Sequence, residues 1–520
     1  MRRSPDLRLG IDVGGTNTDA VVVDGSDTLL AKAKARTSAD VTTGIGQALD
    51  AVLDSLGADR GRVTHVMLGT THATNAVLQR RGLHRVAVLR IGGPATHSVP
   101  PLATWPADLR SSVATGTLVV EGGIEFDGSE IAALDREAIA RFFDGLTGAV
   151  DAVAITSVFS SVSNRHEVEA EAIARAILGD IDVSLSHEIG SIGLIERENA
   201  TVLNAALVGI AAEVAGSLTA ALEQRGLAPA TYLAQNDGTL MALDYALRYP
   251  VLTIGSGPAN SMRGAAHLSG ATEALVADVG GSSTEVGALV NGFPTESTDV
   301  VGVGGVATNF RMPDLVALPL GGGTVVTSDG NGVRLGRESV GYDLLESALV
   351  FGGTTATLTD AAVADERIAL GHRAPPGSAR GVLAGALAQS DALLADAVDR
   401  AKLARSEPPL IVVGGAGFLV PDNLPGVSAV HRPQHHEVAN AIGAAIAQIS
   451  GEADRIVHFR SGNRRAAIDA ACDAARAQAL RAGADPGRTE IVDIDEVPLT
   501  YLTDGAVRLR VKAVGPLGVL

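Results

Sequence analysis

Three apolar runs with short polar turns between them open the chain: LRLGIDV, AVVVD and TLLAKAKA. Runs of this length that end at Gly or Asp predict successive strands, and therefore a β-meander. The apolar spacing then changes in TTGIGQALDAVLDSLG, where Ile45, Leu49, Val52 and Leu56 recur at helical intervals before Gly57. A glycine directly after such a run is a typical helix stop. We therefore expect a helix to follow the meander.

The same alternation of strand and helix patterns continues through the chain. VTHVMLGTTHATNAVLQRRG predicts a strand, a polar turn and a helix, and a long helix is predicted from Glu196 to Arg225. HRVAVLRIGG and AVDAVAITSVFS have the continuous apolar character of buried strands. Strands that alternate with helices favour an α/β fold with mixed or parallel sheets.

One strand–turn–strand pattern occurs twice. DVGGTNTDAVVVDG and DVGGSSTEVGALVNG share an opening Asp-Val-Gly-Gly, hydroxyl side chains at two equivalent positions, and an acid after them. The equivalent positions are Asp12 and Asp278, Thr16 and Ser282, Thr18 and Thr284, and Asp19 and Glu285. The interval of 266 residues is far longer than a solenoid repeat. The pattern therefore predicts a duplicated domain.

Composition limits the partners and the compartment. The 520 residues are 46% apolar and carry a net charge of −18, which disfavours nucleic acid and anionic membranes and favours a small-molecule ligand. A single cysteine, Cys472, allows no internal disulfide, and no apolar run approaches the roughly 18 residues of a membrane span. The N-terminus has no apolar segment typical of a secretion signal. We expect a cytoplasmic protein without a membrane segment.

The repeated turn contains the groups that bind phosphate and magnesium. Glycines let backbone N–H groups approach phosphate oxygens, hydroxyls add donors, and a carboxylate suits Mg²⁺, usually through water. A single copy could instead be a plain hairpin turn, whereas two copies facing one cleft favour a nucleotide site. The chain has no Gly-Lys pair, and neither GSGPAN nor GGAGFLV completes Gly-x-Gly-x-x-Gly, which disfavours P-loop and Rossmann sites.

Two further segments have predicted roles. PLIVVGGAGFLVPDN places glycines directly after a buried strand, where the backbone could lie against a purine and ribose or simply pack tightly on a helix. EVANAIGAAIAQIS after it predicts a helix. Between the two halves, Gly257 and Pro258 predict a turn and a hinge. The four lysines Lys32, Lys34, Lys402 and Lys512 lie in contexts that suggest no catalytic role.

The three glycine loops, in this order, resemble those of the actin, sugar kinase and Hsp70 ATPase superfamily. More narrowly, the chain resembles the hydantoinase A and 5-oxoprolinase family, of which it is identified as a short-form member. The resemblance is carried by GIDVGGTNTD, GTTHATNAVLQRRG, NRHE, LSHEIG, ERENATVLNAAL, PVLTIGSGPANSMRGA, DVGGSSTEV, LGRESVG, TLTDA and VVGGAG. QNDG around Asn236 and LGGGTVVT from Leu320 depart from the family pattern, which puts the substrate in doubt.

The resemblance implies duplicated actin-like, ribonuclease H-like ATPase domains that face an interdomain ATP cleft, with an inserted α/β region. We expect a hydantoinase/oxoprolinase N-terminal-like domain over 1–190 with the first phosphate loop. Residues 191–450 would form a hydantoinase A-like domain with the second phosphate loop and the adenosine loop, and 451–520 a C-terminal helix and short β tail.

The resemblance also implies ATP-dependent opening of a cyclic amide or imide, with ATP and Mg²⁺ as cofactors. Asp12 and Asp278 would be catalytic and hold Mg²⁺ through water. The phosphates would lie near Gly14, Gly15, Thr16 and Thr18, opposite Gly280, Gly281, Ser282 and Ser283. Adenosine would contact Gly414, Gly415 and Gly417. The substrate candidates are Thr70, Thr71, His72 and Asn75, with Glu196 and Arg197 as a second cluster in which Arg197 would clamp a carboxylate.

Two other functions stay open from the sequence. The chain could be a small-molecule kinase of the same superfamily, which stops after phosphoryl transfer. It could also be an ATPase subunit that energises a separate hydrolytic partner, because hydantoinase A chains commonly work with a B-type subunit. The resemblance implies an assembly of either identical or different subunits. Whether Asp19 or Glu285 takes part in catalysis is left open by the pattern.

Overall fold

The computed structural model describes residues 6–14, 17–36, 41–190, 193–297, 301–329, 332–459, 464–499 and 506–518. The first strands are β1 (Leu7–Val13), β2 (Asn17–Val23), β3 (Leu29–Arg36), β4 (Val63–Thr70), β5 (Val86–Gly93), β6 (Ala114–Glu121), β7 (Ala152–Ser157), β8 (Asp182–Leu185), β9 (Ala230–Ala234) and β10 (Leu240–Ala242). The later strands are β11 (Ala274–Val279), β12 (Thr284–Val290), β13 (Phe293–Pro294), β14 (Val301–Val303), β15 (Val306–Thr308), β16 (Leu315–Leu318), β17 (Thr324–Asp329), β18 (Gly332–Ser339), β19 (Leu410–Val413), β20 (Val430–His431), β21 (Ile449–His458), β22 (Glu490–Pro498) and β23 (Ala506–Gly515).

The α-helices lie between these strands. They are α1 (Val41–Leu56), α2 (His72–Gln79), α3 (Ala107–Val113), α4 (Arg136–Asp144), α5 (Arg165–Leu178), α6 (Ser186–Ile189), α7 (Leu194–Glu223), α8 (Leu243–Arg248), α9 (Ser256–Ser269), α10 (Leu344–Ser347), α11 (Leu358–Ala364), α12 (Arg380–Ala401), α13 (Ala439–Ile446) and α14 (Arg464–Arg481). The predicted meander, the helix that stops at Gly57 and the long helix near Glu196 are confirmed within about two residues.

The first sheet has nine strands in the order β22-β23-β21-β10-β9-β4-β1-β2-β3. β1 pairs antiparallel with β2 and parallel with β4. One face buries Leu9 and Ile11 against Leu49 of α1 and Leu218 of α7. The sheet includes strands from each of the three domains expected from the sequence, because β21 to β23 extend its edge.

The second sheet repeats the central arrangement of the first. Its order is β13-β12-β11-β19-β20, with β16 also beside β12. β11 pairs antiparallel with β12 and parallel with β19, as β1 does with β2 and β4. Its core packs Leu275 and Val412 with Leu358 of α11 and Leu387 of α12. The predicted duplication of the fold is therefore confirmed.

An inserted parallel sheet lies in the first half of the chain. Its order is β6-β5-β7-β8, and all its pairs are parallel. One face packs on α4 and α5 through Ile139, Phe143 and Ala170, and α7 packs on the other face through Leu203 and neighbouring residues. This sheet is the α/β insertion expected from the sequence.

Two helices join the duplicated halves. α13 packs on β2 through Ile442 and neighbouring apolar residues, and α9 packs on the second sheet through Ala265 and its neighbours. The two helices cross at glycines, which have no side chain to hold their backbones apart. A Cβ atom at Gly264 would lie 2.0 Å from the carbonyl oxygen of Ala439, and one at Gly443 would lie 1.9 Å from that of Asn260. We call this contact the α9–α13 crossing.

One local prediction was wrong, and another was confirmed only in part. Gly257 and Pro258 do not form a turn but lie in the first turn of α9, where a proline is tolerated because first-turn N–H groups have no acceptor in the helix. The helix predicted in EVANAIGAAIAQIS ends at Ile446, since Ile449 begins β21 and pairs with Leu240. Strand pairing outweighed the local helical pattern there.

Two helical segments, Leu194–Glu223 and Gly377–Ala401, are long and apolar enough to cross a membrane by length and composition alone. The first contains a completely buried ion pair in which Glu198 binds Arg90 of β5 at 2.6 Å. Its Asn199 accepts a hydrogen bond from the indole of Trp105 at 2.7 Å. These contacts are those of a helix packed in a protein core.

The α9–α13 crossing predicts a strong position effect of alanine substitution. Gly443→Ala should lower the free energy of unfolding by about 1–3 kcal/mol, because its methyl group would overlap the Asn260 backbone. The matched control is Gly216→Ala in α7, where a Cβ atom meets nothing within 4 Å. It should be neutral or stabilise by up to about 1 kcal/mol. Thermal or denaturant unfolding measures both, and equal stabilities of the two variants would contradict the close crossing.

Candidate active site

Both duplicated hairpins open into one cavity of about 620 Å³ between the two halves. Most residues predicted from the sequence line it together: Asp12, Gly14, Thr71, Asp278, Gly280, Gly281, Ser282, Ser283, Gly414 and Gly415. We call this cavity the cleft.

The turns of the two hairpins have the same geometry. The Gly14 N–H donates to the Asn17 carbonyl at 3.0 Å, and the Gly280 N–H donates to that of Ser283 at 2.9 Å. Asp12 lies directly opposite Asp19 across one antiparallel pair, and Asp278 lies opposite Glu285 across the other. Directly opposed residues share one face of a sheet with Cβ atoms roughly 5 Å apart. Each hairpin therefore presents two carboxylates side by side.

A glycine on the neighbouring parallel strand lies beside each aspartate. Gly69 of β4 is in register with Asp12, and a Cβ atom there would lie 2.9 Å from the Asp12 Oδ1 atom. Gly414 follows β19 with φ +87, and a Cβ atom there would lie 2.5 Å from the Asp278 Oδ1 atom. The GTTHATN and GGAG segments therefore both lie at the end of the strand that pairs in parallel with an aspartate-bearing strand.

The carboxylates have strongly perturbed pKa values. Burial raises the pKa of Asp12 to about 8, and the charges of Asp19 and Asp278 contribute to this shift. Burial, with the charge of Asp278, raises the pKa of Glu285 to about 7. Burial also raises the pKa values of Asp19 and Asp278. The cleft concentrates more negative charge than its surroundings neutralise.

One cation that sequence reasoning missed borders these acids. Lys34 of β3 lines the cleft, opposite Asp19 across the β2–β3 pair, and its Nζ atom lies 2.6 Å from the Asp19 Oδ1 atom. Its contact lowers the pKa of Asp19, although burial outweighs it. The alternating AKAKA pattern of β3 predicted a strand but not which lysine faces the site.

The chemistry of the buried oxygens fits a hydrated Mg²⁺ ion. The Oδ1 atoms of Asp12, Asn260 and Asn440 are buried and have no hydrogen-bond partner in the part of the chain that the structure describes. Asn440 Nδ2 donates to the Asp12 Oδ2 atom at 3.3 Å. No three His, Cys, Asp or Glu side chains in the described ranges stand close enough to hold an ion directly. Water-mediated binding is the usual mode of Mg²⁺ in such sites.

The two asparagines, one from each helix of the α9–α13 crossing, were missed from the sequence. The feature of the sequence that could have indicated them is a single amide side chain among small residues, Asn260 in GPANSM and Asn440 in EVANAIG. Small residues let the helices approach closely, so a polar side chain among them needs a specific partner. Only the crossing brings Asn260 and Asn440 to the aspartates.

The turn at Gly280 and Gly281, the second predicted phosphate loop, is supported by a neighbouring segment. The N–H groups of Gly322 and Gly323 donate to the carbonyls of Gly280 and Gly281 at 3.1 and 2.7 Å. Thr359 Oγ1 donates to the Gly322 carbonyl at 2.8 Å. LGGGTVVT, which departs from the family pattern, therefore supports the Gly280–Gly281 turn by backbone hydrogen bonds.

The far end of the cleft is apolar. Gly414 and Gly415 face it together with Phe351, Leu370 and Phe418. Open space of at least 4 Å surrounds the position that a Cβ atom would take at Gly415. A flat apolar group such as a purine fits against this surface.

Some predicted nucleotide residues do not line the cleft. Thr18 is buried within β2, and Gly417 packs against Val412, where a Cβ atom would lie 3.0 Å from its Cγ1 atom. Gly15 and Thr16 lie outside the described residues. Their predicted phosphate contacts stay predictions.

The four predicted substrate residues of GTTHATN form two side-chain pairs at the start of α2. Thr70 Oγ1 lies 2.6 Å from His72 Nδ1, and Asn75 Nδ2 donates to Thr71 Oγ1 at 3.2 Å. Burial lowers the pKa of His72. Of the four, only Thr71 is among the residues that line the cleft.

Arg197 lies elsewhere. It is 2% exposed, its Nε atom donates to Ser186 Oγ at 2.9 Å, and another guanidinium nitrogen donates to the Ser157 carbonyl. Burial lowers its pKa, against the charge of Glu167. These contacts hold α7 against the four-stranded sheet. Arg197 does not line the cleft, and its role as a carboxylate clamp stays a prediction.

The paired hairpins, their flanking parallel strands and the cleft between them define an actin-like ATPase fold. Two solved structures share it over 99% of this chain. An ATP-dependent caprolactamase from Pseudomonas jessenii matches with a TM-score of 0.79, 21% identity and 89% of its own chain covered. A nucleotide-free acetone carboxylase matches with a TM-score of 0.72, 16% identity and 88% covered.

The chain belongs to the hydantoinase/oxoprolinase family. The family's N-terminal region matches residues 8–178, and its hydantoinase/oxoprolinase domain matches residues 197–378. Among curated relatives, the caprolactamase subunit alpha of Pseudomonas jessenii is 28% identical over 82% of this chain and 62% of its own length. The acetophenone carboxylase gamma subunit of Aromatoleum aromaticum is 27% identical over 68% of this chain and 52% of its own length.

The raised pKa of Asp12 predicts a pH effect on stability. The unfolded carboxyl loses its proton near pH 4, whereas the folded one holds it to about pH 8, so ionisation in this range favours the unfolded state. Without nucleotide or Mg²⁺, we expect the melting temperature to fall from pH 5 to pH 8 and Asp12→Asn to reduce that fall. Differential scanning calorimetry measures it.

The matched control is Asp54→Asn, which changes an exposed acid on α1. Its melting temperature should follow the wild-type dependence on pH. An Asp12→Asn profile parallel to the wild type would mean that Asp12 ionises normally in the folded protein.

Proposed function

We propose that the chain catalyses ATP-dependent ring opening of a cyclic amide or imide, such as a hydantoin, 5-oxoproline or a related lactam. The observation that carries the proposal is the convergence of two carboxylate-bearing hairpins and the GGAG loop on one cleft. Membership of the hydantoinase/oxoprolinase family and the caprolactamase subunit among its relatives support this substrate class.

The arrangement suggests how ATP would lie. The phosphates would lie between the loops at Gly14 and at Gly280–Gly281, with adenine against the apolar end near Gly414. Asp12 and Asp278 would hold Mg²⁺ through water, and the ion when bound would neutralise part of the phosphate charge. Phosphoryl transfer depends mainly on such positioning and charge stabilisation.

Ring opening would require three steps. The amide oxygen bonds to the γ-phosphorus while the bond to the ADP oxygen breaks, which gives an imidate phosphate. A first water then adds to the activated carbon, and the ring C–N bond breaks as the nitrogen takes up a proton, which leaves an acyl phosphate on the opened chain. A second water cleaves the acyl phosphate and releases phosphate. A lactam yields an open amino carboxylate, together with ADP and phosphate. Phosphorylation is needed because an unstrained amide is a poor electrophile.

Of the two acids left open by the sequence, Glu285 fits proton transfer better. Asp19 is ion-paired with Lys34, whereas Glu285 has a pKa raised to about 7. A general acid or base works best when its pKa is near the working pH. Glu285→Gln would therefore lower turnover more than Asp19→Asn.

The direct test measures ATP-dependent phosphate release and ring-opened product in parallel, against a panel of lactams and hydantoins. Asp12→Asn and Asp278→Asn should each lower turnover about 10²-fold or more while keeping the fold, as for the loss of a key charge-stabilising group. Asp54→Asn should keep wild-type turnover. Full activity of either cleft variant would remove that aspartate from the mechanism.

A second function is favoured by the relatives. The two curated relatives described above are named as subunits, alpha and gamma, and the chain spans 62% and 52% of their lengths. The chain could be an ATPase subunit that energises ring opening on a partner, in an assembly with a separate B-type subunit. Lactam-dependent phosphate release without ring opening would favour this function. Accumulation of a phosphorylated small molecule would instead favour a superfamily kinase.

A further inference from the structure

Two basic and five acidic side chains are among the described residues that line the cleft. The basic residues are Lys34 and Arg36, and the acids are Asp12, Asp19, Asp278, Glu285 and Glu437. A polyphosphate would bring further negative charge to this site, and like charges repel strongly in a partly buried cleft. A nucleotide there needs protein cations as well as its metal ion, and Lys34 and Arg36 are the residues of the described lining that can supply them.

The two basic residues differ in their present contacts. Arg36 is half exposed and binds Glu346 of α10 in a fork, with its two terminal nitrogens each 2.9 Å from one carboxylate oxygen. That fork is the geometry in which a guanidinium would otherwise bind phosphate. The Lys34 Nζ atom lies 2.6 and 2.8 Å from the two carboxylate oxygens of Asp19, and 37% of its side chain is exposed. A compact ammonium on a flexible stem can therefore bind Asp19 and a cleft ligand together.

Strand register brings Lys34 to the acids of the cleft. A row of paired residues crosses the first sheet: Gly69 of β4, Asp12 of β1, Asp19 of β2 and Lys34 of β3. Directly opposed residues share one face of a sheet. Burial raises the pKa values of Asp12, Asp19 and Asp278, and the charge of Lys34 acts against burial at all three. The ammonium thus acts on carboxylates of both halves.

The equivalent row of the second sheet has no lysine. There Asp278 of β11 pairs with Glu285 of β12, and Glu285 pairs with Ala317 of β16. The second half therefore holds an equivalent pair of opposed acids with an alanine in the place of the lysine. Because the duplicated fold forms without a basic residue at this place, the presence of Lys34 favours a role towards a ligand over a role in folding.

We propose that Lys34 is a catalytic residue whose ammonium donates hydrogen bonds to the terminal phosphate of the nucleotide, and that Asp19 positions it for this contact. Lys34 keeps its proton and forms no covalent bond. It stabilises the charge on the phosphoryl oxygens while the group passes from the ADP oxygen to the amide oxygen. The inference rests on the proposed function and deepens it, because it assigns a role to Asp19 and places the transferred group beside the first hairpin.

Isothermal titration calorimetry of the full chain with Mg²⁺ and without lactam tests the contact. The probes are ADP and adenylyl imidodiphosphate, an ATP analogue that keeps the terminal phosphate and is not hydrolysed. Lys34→Met should weaken binding of the analogue about tenfold or more, as for the loss of a hydrogen bond to a charged group. Its affinity for ADP should change much less, because ADP has no terminal phosphate to lose contact with Lys34.

The matched control is Lys32→Met. Lys32 lies two residues away on the same face of β3, is ion-paired with Glu437 and does not line the cleft. The variant should bind both probes like the wild type. The melting temperature of each variant verifies that it folds.

A double variant separates ligand binding from a purely structural role. If Lys34 only neutralised Asp19, removing both charges would restore the affinity for the analogue. Lys34→Met/Asp19→Asn should instead bind it as weakly as Lys34→Met, whereas Lys34→Arg, which keeps the charge, should recover part of the affinity. With a lactam substrate, Lys34→Met should lower kcat about 10²-fold and leave the KM of the lactam nearly unchanged.

Three binding results would overturn the proposal: equal weakening of ADP and the analogue in Lys34→Met, wild-type affinity of the double variant, or no binding of the analogue by the wild type. A chain that binds the analogue through Lys34 yet opens no ring would refute the proposed function and leave this contact standing. Ring opening at the wild-type rate by Lys34→Met would refute the catalytic role of Lys34 and leave the proposed function standing.

Discussion

The rest of the structure depends on a backbone-to-backbone contact, the crossing of α9 and α13 at Gly264 and Gly443. Each helix is packed on a different sheet, so their separation sets the distance between the duplicated hairpins. A side chain at either glycine would push the sheets apart, because its Cβ atom would lie about 2 Å from a carbonyl oxygen. The same contact brings Asn260 and Asn440 to Asp12, and thus couples the packing of the halves to the chemistry of the cleft.

Folding gathers like charges at this junction. Each hairpin opposes two acids across a strand pair, an arrangement that costs stability when both are ionised. Burial, to which the neighbouring acids add, raises the pKa values of Asp12 and Glu285. Lys34 relieves the cost of opposed acids on one side only. In the proposed function, a bound metal ion would lower the negative charge that a polyphosphate brings to these acids. The buried acids therefore lower the stability of the fold at the place where they would bind a ligand, which is common at functional sites.

The sequence predicts the parts of the site that are local. DVGGTNTD and DVGGSSTE contain their strands, their turn and their acids within a few residues, so their pattern alone predicts the loops. Lys34, Asn260 and Asn440 could not be predicted in the same way, because strand register and the crossing of distant helices select them. Arg197 shows the converse. The polar motif around Arg197 predicts a binding cluster. In the folded chain, however, its guanidinium group donates hydrogen bonds to Ser157 and Ser186.

Gly69 lies in register with Asp12, and Gly414 comes one residue after the register partner of Asp278. The same pairing of an aspartate strand with a parallel strand therefore recurs at the two sides of the cleft. The two sides differ in the segments that come next in the chain: an open glycine loop after Gly414, and the Thr70–His72 and Thr71–Asn75 side-chain pairs after Gly69. In the proposed function, a nucleotide would therefore have one orientation that suits its base, and the side of the cleft at Thr71 would be left as a polar end for the terminal phosphate.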